Sequence, residues 1–271
     1  MSNTAVIVSG TLRHLVNASS SWTIPGDYFL IIDQDIYTTA SDQVSGNSFD
    51  LLTENIKNSH VKFKSVFVCI DNGLPDYMKA HTSINMINKW KLAYYNLLPY
   101  NIMKSYERII ILRPDIYLFP KQPVRTLLDI KPLDNEIYTT VGITKSTSDQ
   151  HTERDVMNDV LLMVNLNTLG RLGNELGAYY FENYQLTVNE GYEVHSLMAK
   201  FVKERNITVK SDLHDYFEFA ILRDNSTDLF ESGHINQRTT FMDLKNRAEA
   251  WWREAYENNI KQHEENQKNY Q

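Results

Sequence analysis

The chain has 271 residues, 42% of them hydrophobic and 23% charged, and a formal net charge of -7. A single cysteine, Cys69, excludes a disulfide framework and a Cys-rich zinc site, while 10 Gly and 7 Pro exclude collagen-like and Pro/Gly-rich disordered classes. The acidic balance argues against a protein that coats nucleic acid electrostatically, although it leaves room for a local basic groove.

The first predicted element is a short apolar strand, Ala5 to Ser9, which stops at Gly10 and leads into Thr11-Leu12-Arg13-His14. An apolar β-run that ends on glycine before a polar turn reads as a buried parallel strand. Residues 27–35 (DYFLIIDQD) form a second such run, closed by acids. From Ala40 to His60 the composition turns polar, and Phe49, Leu51, Leu52 and Ile56 at helical spacing predict one amphipathic surface helix there. A third strand is expected over Lys64 to Ile70, before the turn signature Asp71-Asn72-Gly73. Ile84, Ile87, Trp90, Tyr94 and Leu97 then recur at three- and four-residue steps. They predict a helix over Ser83 to Leu98, capped by Thr82 or Ser83 and stopped by Pro99.

The strongest apolar run, Arg108 to Phe119, is interrupted by Arg113-Pro114-Asp115. Proline removes a ladder donor, so the chain is expected to leave the sheet there and present two charged side chains. A strand over Glu136 to Val141, a polar loop over Thr144 to Arg154 and a strand over Asp159 to Asn165 follow. Helices over Asn167 to Phe181 and Tyr192 to Arg205, then a short strand over Ile207 to Lys210, complete the alternation. From Thr239 onward, Phe241, Leu244, Ala248, Trp251, Trp252, Ala255 and Tyr256 predict a C-terminal helix that frays beyond Ile260. Strands alternating with helices predict an α/β fold with a mostly parallel sheet. With no basic-apolar leader and no apolar run of about 18 residues, neither membrane insertion nor export is expected, and the cytoplasm is the expected address.

In an open α/β sheet, ligands bind beyond the carboxyl ends of the strands. That rule selects Gly10 to His14, Asp33 to Asp35, Asp71-Asn72 and Arg113 to Asp115, where mixed charge suits a ligand with phosphates, hydroxyls and a divalent cation. The bland reading of Arg113 and Asp115 is a buried ion pair that fixes a strand end. Asp33 follows Gly10 by 23 residues, near the ribose-binding spacing of dinucleotide folds, but SGTLRH has one glycine where that motif needs three. A dehydrogenase is therefore a poor fit. Gly-x-Ser-x-Gly, Walker A and zinc motifs are absent as well.

Ser9-Gly10-Thr11-Leu12-Arg13, Trp90-Lys91 on the long helix, and Tyr106-Glu107-Arg108 leading into Ile111-Leu112-Arg113-Pro114-Asp115 occur in a familiar order. The pattern resembles a family of nucleotide-sugar glycosyltransferases found in viruses, phages and bacteria, with a GT-A-like (Rossmann-like) fold. The likeness covers roughly residues 5–210 and takes in Asp159, before an apolar strand and helix, and Glu193 at a helix start. It implies a GT-A-like glycosyltransferase domain over residues 1–238: a mostly parallel sheet flanked by helices. A C-terminal helix and tail over residues 239–271 would follow, with that helix as a candidate homodimer contact. The implied reaction moves a sugar from a nucleotide-diphosphate donor, such as a UDP-sugar, to a hydroxyl of a glycan or glycoprotein in the cytoplasm, the host's if the protein is viral.

By the same resemblance, Gly10, Thr11, Arg13, Asp33, Lys91, Arg113 and Asp115 would bind the donor, and Asp159 and Glu193 are the candidate catalytic acids or bases. In similar GT-A enzymes a D-x-D motif holds a divalent metal on the donor diphosphate. Asp115 stands where one such acid would be, but its partner position is Arg113. Two arrangements stay open: Mg²⁺ or Mn²⁺ held by Asp115 with phosphates and water, or Arg113 directly on the diphosphate. Two further readings compete: a phage enzyme acting on a hydroxymethylated base in DNA, which would need a basic groove, and a sugar- or nucleotide-binding protein without turnover.

Overall fold

β1 (Thr4–Gly10) is buried along nearly its whole length, as a central strand covered on both faces must be. A computed structural model of the chain describes residues 3–10, 12, 14–33, 48–69, 82–147, 153–157, 159–183, 194–222, 228–231, 234–240, 246 and 250. Parallel strands β2 (Asp27–Asp33) and β3 (Phe63–Cys69) extend the sheet on one side of β1. On the other side lie β4 (Arg108–Leu112), β9 (Leu161–Val164), β6 (Glu136–Thr139) and β10 (Thr208–Lys210). The order across the sheet is β10-β6-β9-β4-β1-β2-β3, and every strand is parallel to β1 except β9, which is antiparallel to both neighbours. The protein is thus α/β with a seven-stranded, mostly parallel sheet flanked by helices.

Strand alternation sends Ala5 and Ile7 to one face and Val6 and Val8 to the other, and each face has its own apolar cluster. Helices α3 (Thr82–Lys104), α4 (Leu166–Glu182) and α5 (Val194–Glu204) cover the first face through Trp90, Leu97, Leu172, Leu176 and Phe201. α1 (Leu15–Ser19), α2 (Ser48–Asn58) and the two-stranded pair β5 (Ile116–Pro120) and β11 (Phe217–Ile221) cover the second. α3 and α4 meet backbone to backbone: a Cβ on Gly173 would lie 2.6 Å from Lys91 Cα. α4 begins where Asn165 Oδ1 accepts from the Thr168 amide at 2.9 Å, an N-cap of the preferred type. No helix among the described residues is long and apolar enough to cross a membrane.

Three expectations are corrected. The long helix does not stop at Pro99 but runs to Lys104. Pro99 is exposed, so its ring stands on the solvent side of the helix and not in the core. Leu97 before it is buried. Tyr100 after it packs edge-on against Phe29 and shares a 2.6 Å hydrogen bond with the Ser65 hydroxyl. Those tertiary contacts outweigh a local cost of about 3 kcal/mol.

The stretch Thr144 to Arg154 is not a plain loop, because β7 (Ile143–Thr147) and β8 (Glu153–Met157) pair antiparallel. The pairing is carried by polar partners such as Lys145 and Asp155, 3.0 Å apart, so hydropathy concealed it. Thr239 and Thr240 close β13 (His234–Thr240), paired with β12 (Asp228–Glu231), where they face Leu229 and Asp228. Of the expected C-terminal helix, Asn246 and Ala250 are helical and exposed; its other residues lie outside those described.

Candidate functional site

From β1 the chain builds β2 and β3 on one side and then returns to place β4 on the other. That reversal puts a topological switch point between the carboxyl ends of β1 and β4, where open α/β sheets form a ligand crevice. Gly10 ends β1 at φ +152, and a Cβ there would lie 2.9 Å from Pro114 Cδ, so the two strand ends touch. Ser9, just before it, is buried, and its hydroxyl has no hydrogen-bond partner among the described residues. A buried hydroxyl left without a partner is costly, so a polar group beside this strand end would be favoured.

At Arg113-Pro114-Asp115 the chain leaves the sheet as the sequence predicts: β4 ends at Leu112, and β5 belongs to a separate pair with β11. The turn is held from several directions. The Ile116 amide donates to Arg113 O at 3.2 Å and the Leu222 amide to Asp115 O at 2.8 Å. Trp22 Nε1 donates to Ile116 O at 2.8 Å, and the Leu118 amide donates to Ser21 Oγ at 2.8 Å. Within the turn, Arg113 grips Asp115 with two prongs, Nε to Oδ1 at 3.0 Å and Nη2 to Oδ2 at 2.5 Å. The expectation that both charged side chains are presented is corrected: the Asp115 side chain is 3% exposed and that of Arg113 30%, so the ion pair seals the carboxylate and only the guanidinium reaches the surface.

Because β9 runs antiparallel to β4, Leu161 pairs with Leu112 and the residues just before β9 lie beside Arg113. Asp159 is one of them. His195, in the first turn of α5, donates from Nε2 to Asp159 Oδ1 at 3.0 Å; the Asp159 side chain is 11% exposed and that of His195 39%. Burial alone would weaken the charge on Arg113, but the neighbouring Asp115 and Asp159 carboxylates outweigh it and hold the guanidinium more firmly protonated than usual. Burial alone would likewise raise Asp159, but the His195 hydrogen bond and the charges of His195 and Arg113 keep its carboxyl below the ordinary carboxylate range.

A carboxyl depressed in the folded state adds stability at pH above its unfolded value of about 3.9 and loses it as pH falls through the lower folded value. Unfolding free energy should therefore drop below about pH 4, and Asp159→Asn should flatten that acid limb. Urea titrations of both proteins between neutral and acid pH check this; parallel curves would contradict it.

The structure thus brings together Gly10, Arg113, Asp115 and Asp159 of the expected site. Asp33 closes β2 at the same end of the sheet, but its side chain lies outside those described. Thr11, Arg13 and Glu193 also lie outside the described residues. Lys91 is exposed on α3, and no hydrogen bond or ion pair joins it to this cluster among the described residues; its neighbour Trp90 is core. The residue that sequence reasoning missed is His195. It sits two positions from Glu193, and its partner is 36 residues away, so no local spacing announces it.

The fit to a divalent metal is poor in this arrangement. Both Asp115 oxygens are engaged by Arg113 and nearly sealed from solvent, and no group of three or more candidate ligands occurs among the described residues. No known protein family matches the chain, and no curated protein matches it at a significant level.

Proposed function

We propose that this protein is a nucleotide-sugar-dependent glycosyltransferase of GT-A-like fold. The observation that carries the reading is the meeting of Arg113, Asp115, Asp159 and His195 at the carboxyl ends of β1 and β4. A guanidinium has five N–H donors, and Arg113 gives two of them to Asp115. Asp115 thereby fixes a permanent, partly exposed cation at these strand ends, where the donor diphosphate would lie.

On the other side of Arg113, Asp159 orients His195, and this pair would face the acceptor hydroxyl. In the transfer, the acceptor oxygen bonds to the anomeric carbon as the bond from that carbon to the diphosphate oxygen breaks. The hydroxyl proton passes to the Asp159–His195 pair, and the leaving diphosphate takes the electron pair, stabilised by Arg113. Glu193, two residues before His195 in the sequence, stays the second candidate acid and lies outside the described residues. No step is routed through a metal, because the Asp115 carboxylate is committed to Arg113.

Thermal unfolding with a panel of UDP-, GDP-, CDP- and dTDP-sugars, with and without Mn²⁺, tests the reading together with donor hydrolysis. A donor at a hundredfold excess over its Kd should stabilise the fold by about 2.7 kcal/mol. Neither stabilisation nor hydrolysis with any donor would overturn the proposal. Stabilisation without hydrolysis or transfer would instead identify a sugar-nucleotide-binding protein.

A further inference from the structure

Beside the Asp159–His195 pair the surface carries a second feature of different chemistry. A groove of about 400 Å³ runs between the β7–β8 hairpin and α5, within the size range of small-ligand pockets. Four cations line it, Lys145, Arg154, Lys200 and Lys203, against three acids. Among the described residues that is an excess of one positive charge, in a chain whose net charge is -7.

Asp155 is shared. Its Oδ1 lies 3.0 Å from Lys145 Nζ, while its Oδ2 accepts from Lys203, so one carboxylate faces two ammonium groups. Lys145 and Lys203 also keep more than half of their side-chain surface exposed. Lys200 reaches Glu204 only at 3.9 Å, with both side chains partly exposed. A pair of that kind contributes little and is readily exchanged for another anion. The depressed carboxyl of Asp155, held down by the Lys203 and Lys145 hydrogen bonds, reports the same positive surroundings.

The placement ties this groove to the candidate site. β8 supplies one wall and ends at Met157, two residues before Asp159. α5 supplies the other wall through Ser196, Lys200 and Lys203, which stand at four- and three-residue steps and so share one helix face. Ser196 follows His195 directly. The stripe therefore starts on the same helical turn as His195, on the neighbouring face, and runs about 10 Å down the helix to Lys203.

We infer that this groove binds an anionic substituent of the acceptor, so that the acceptor is an acidic glycan carrying a uronate carboxylate or a sugar phosphate. The inference rests on the glycosyltransferase reading for the identity of the crevice beside it. A duplex DNA acceptor fits less well, because the cations form a compact cluster interleaved with acids and the rest of the chain repels a polyanion.

The test uses the full chain and matched oligosaccharides: trigalacturonate against its neutral methyl ester, and a 6-phosphorylated trimannoside against the unphosphorylated sugar. Titration calorimetry should show at least one charged sugar binding about tenfold or more tightly than its neutral counterpart, the size expected of one or two charge-assisted hydrogen bonds. The two pairs separate carboxylate from phosphate. Lys200→Ala/Lys203→Ala should erase the preference and Lys200→Arg/Lys203→Arg should keep it, with thermal unfolding confirming that both variants fold. Equal binding of charged and neutral sugars, no binding of either charged sugar, or a preference that survives the alanine variant would overturn the inference. So would lysine-dependent binding of a DNA duplex without oligosaccharide binding. Donor stabilisation of the unaltered chain is measured in parallel. If it is present without charge discrimination, the groove assignment fails alone; if discrimination occurs without any donor effect, the transferase reading fails and the anion site stands.

Discussion

Arg113→Ala is expected to lower kcat/KM for donor turnover by about a hundred- to a thousandfold, the usual consequence of removing one preorganised donor from a developing anion. Among the described residues at the switch point, the Arg113 guanidinium combines a fixed charge with access to solvent. Its orientation is set by the two-pronged grip on Asp115 and by the tethered turn beneath it. Asp115→Ala should do nearly as much harm by releasing that grip, although Asp115 itself is sealed from solvent. Arg113→Lys keeps the charge but loses the fork, so it should retain some donor affinity and little turnover.

Removing one partner of the pair also has a structural cost, because Arg113→Ala leaves a buried carboxylate unpaired. Fully buried pairs lose about 3–5 kcal/mol in this way; the exposure of Arg113 puts the expected loss at or below the low end. Donor hydrolysis should therefore be compared only on variants whose urea unfolding shows a folded baseline. Wild-type turnover in both alanine variants would sink the assignment of the site.

Gly10→Ala is the second large effect, and it acts on fold and site together. The residue sits at φ +152, which side chains with a Cβ rarely adopt, and the added carbon would meet Pro114 Cδ at 2.9 Å. Backbone strain and overpacking each cost about 1–3 kcal/mol. Pro114 is a rigid ring between the two charged residues, so relief by moving it would displace Arg113 and Asp115. The expected result is a loss of about 2–4 kcal/mol in urea unfolding, accompanied by loss of stabilisation by nucleotide-sugars. Gly142→Ala provides the contrast. It also has positive φ, +74, but its Cβ would meet only Ser211 Cβ at 3.5 Å, an ordinary contact. It should cost about 1 kcal/mol and leave donor binding intact. Equal effects of the two substitutions would show that the Gly10–Pro114 contact has no special part in the site.

The central strands and the break at Pro114 were legible in the sequence, because both are written in adjacent residues. A continuous apolar run needs burial on two faces, and a proline with charged neighbours cannot continue a ladder. The same local logic failed at Pro99, where Tyr100 is anchored by Phe29 and Ser65 from strands far back in the chain. It failed again at β7 and β8, whose cross-strand Lys145–Asp155 pair looks like loop composition until the partner strand is known.

The site divides along the same line. Gly10, Arg113 and Asp115 could be selected from sequence because each ends an apolar run, and strand ends are where open sheets bind ligands. The direction of β9 could not be read, since an apolar run has the same pattern in either orientation. Had β9 been parallel to β4, Asp159 would lie at the opposite edge of the sheet from Arg113. Its antiparallel course brings Asp159 to Arg113, and α5 then delivers His195 to Asp159. Apolar period, turn chemistry and strand-end charge are properties of neighbours along the chain. The pairing of Asp159 with His195, and the basic groove next to them, arise from strand direction and helix docking, which depend on how distant segments pack.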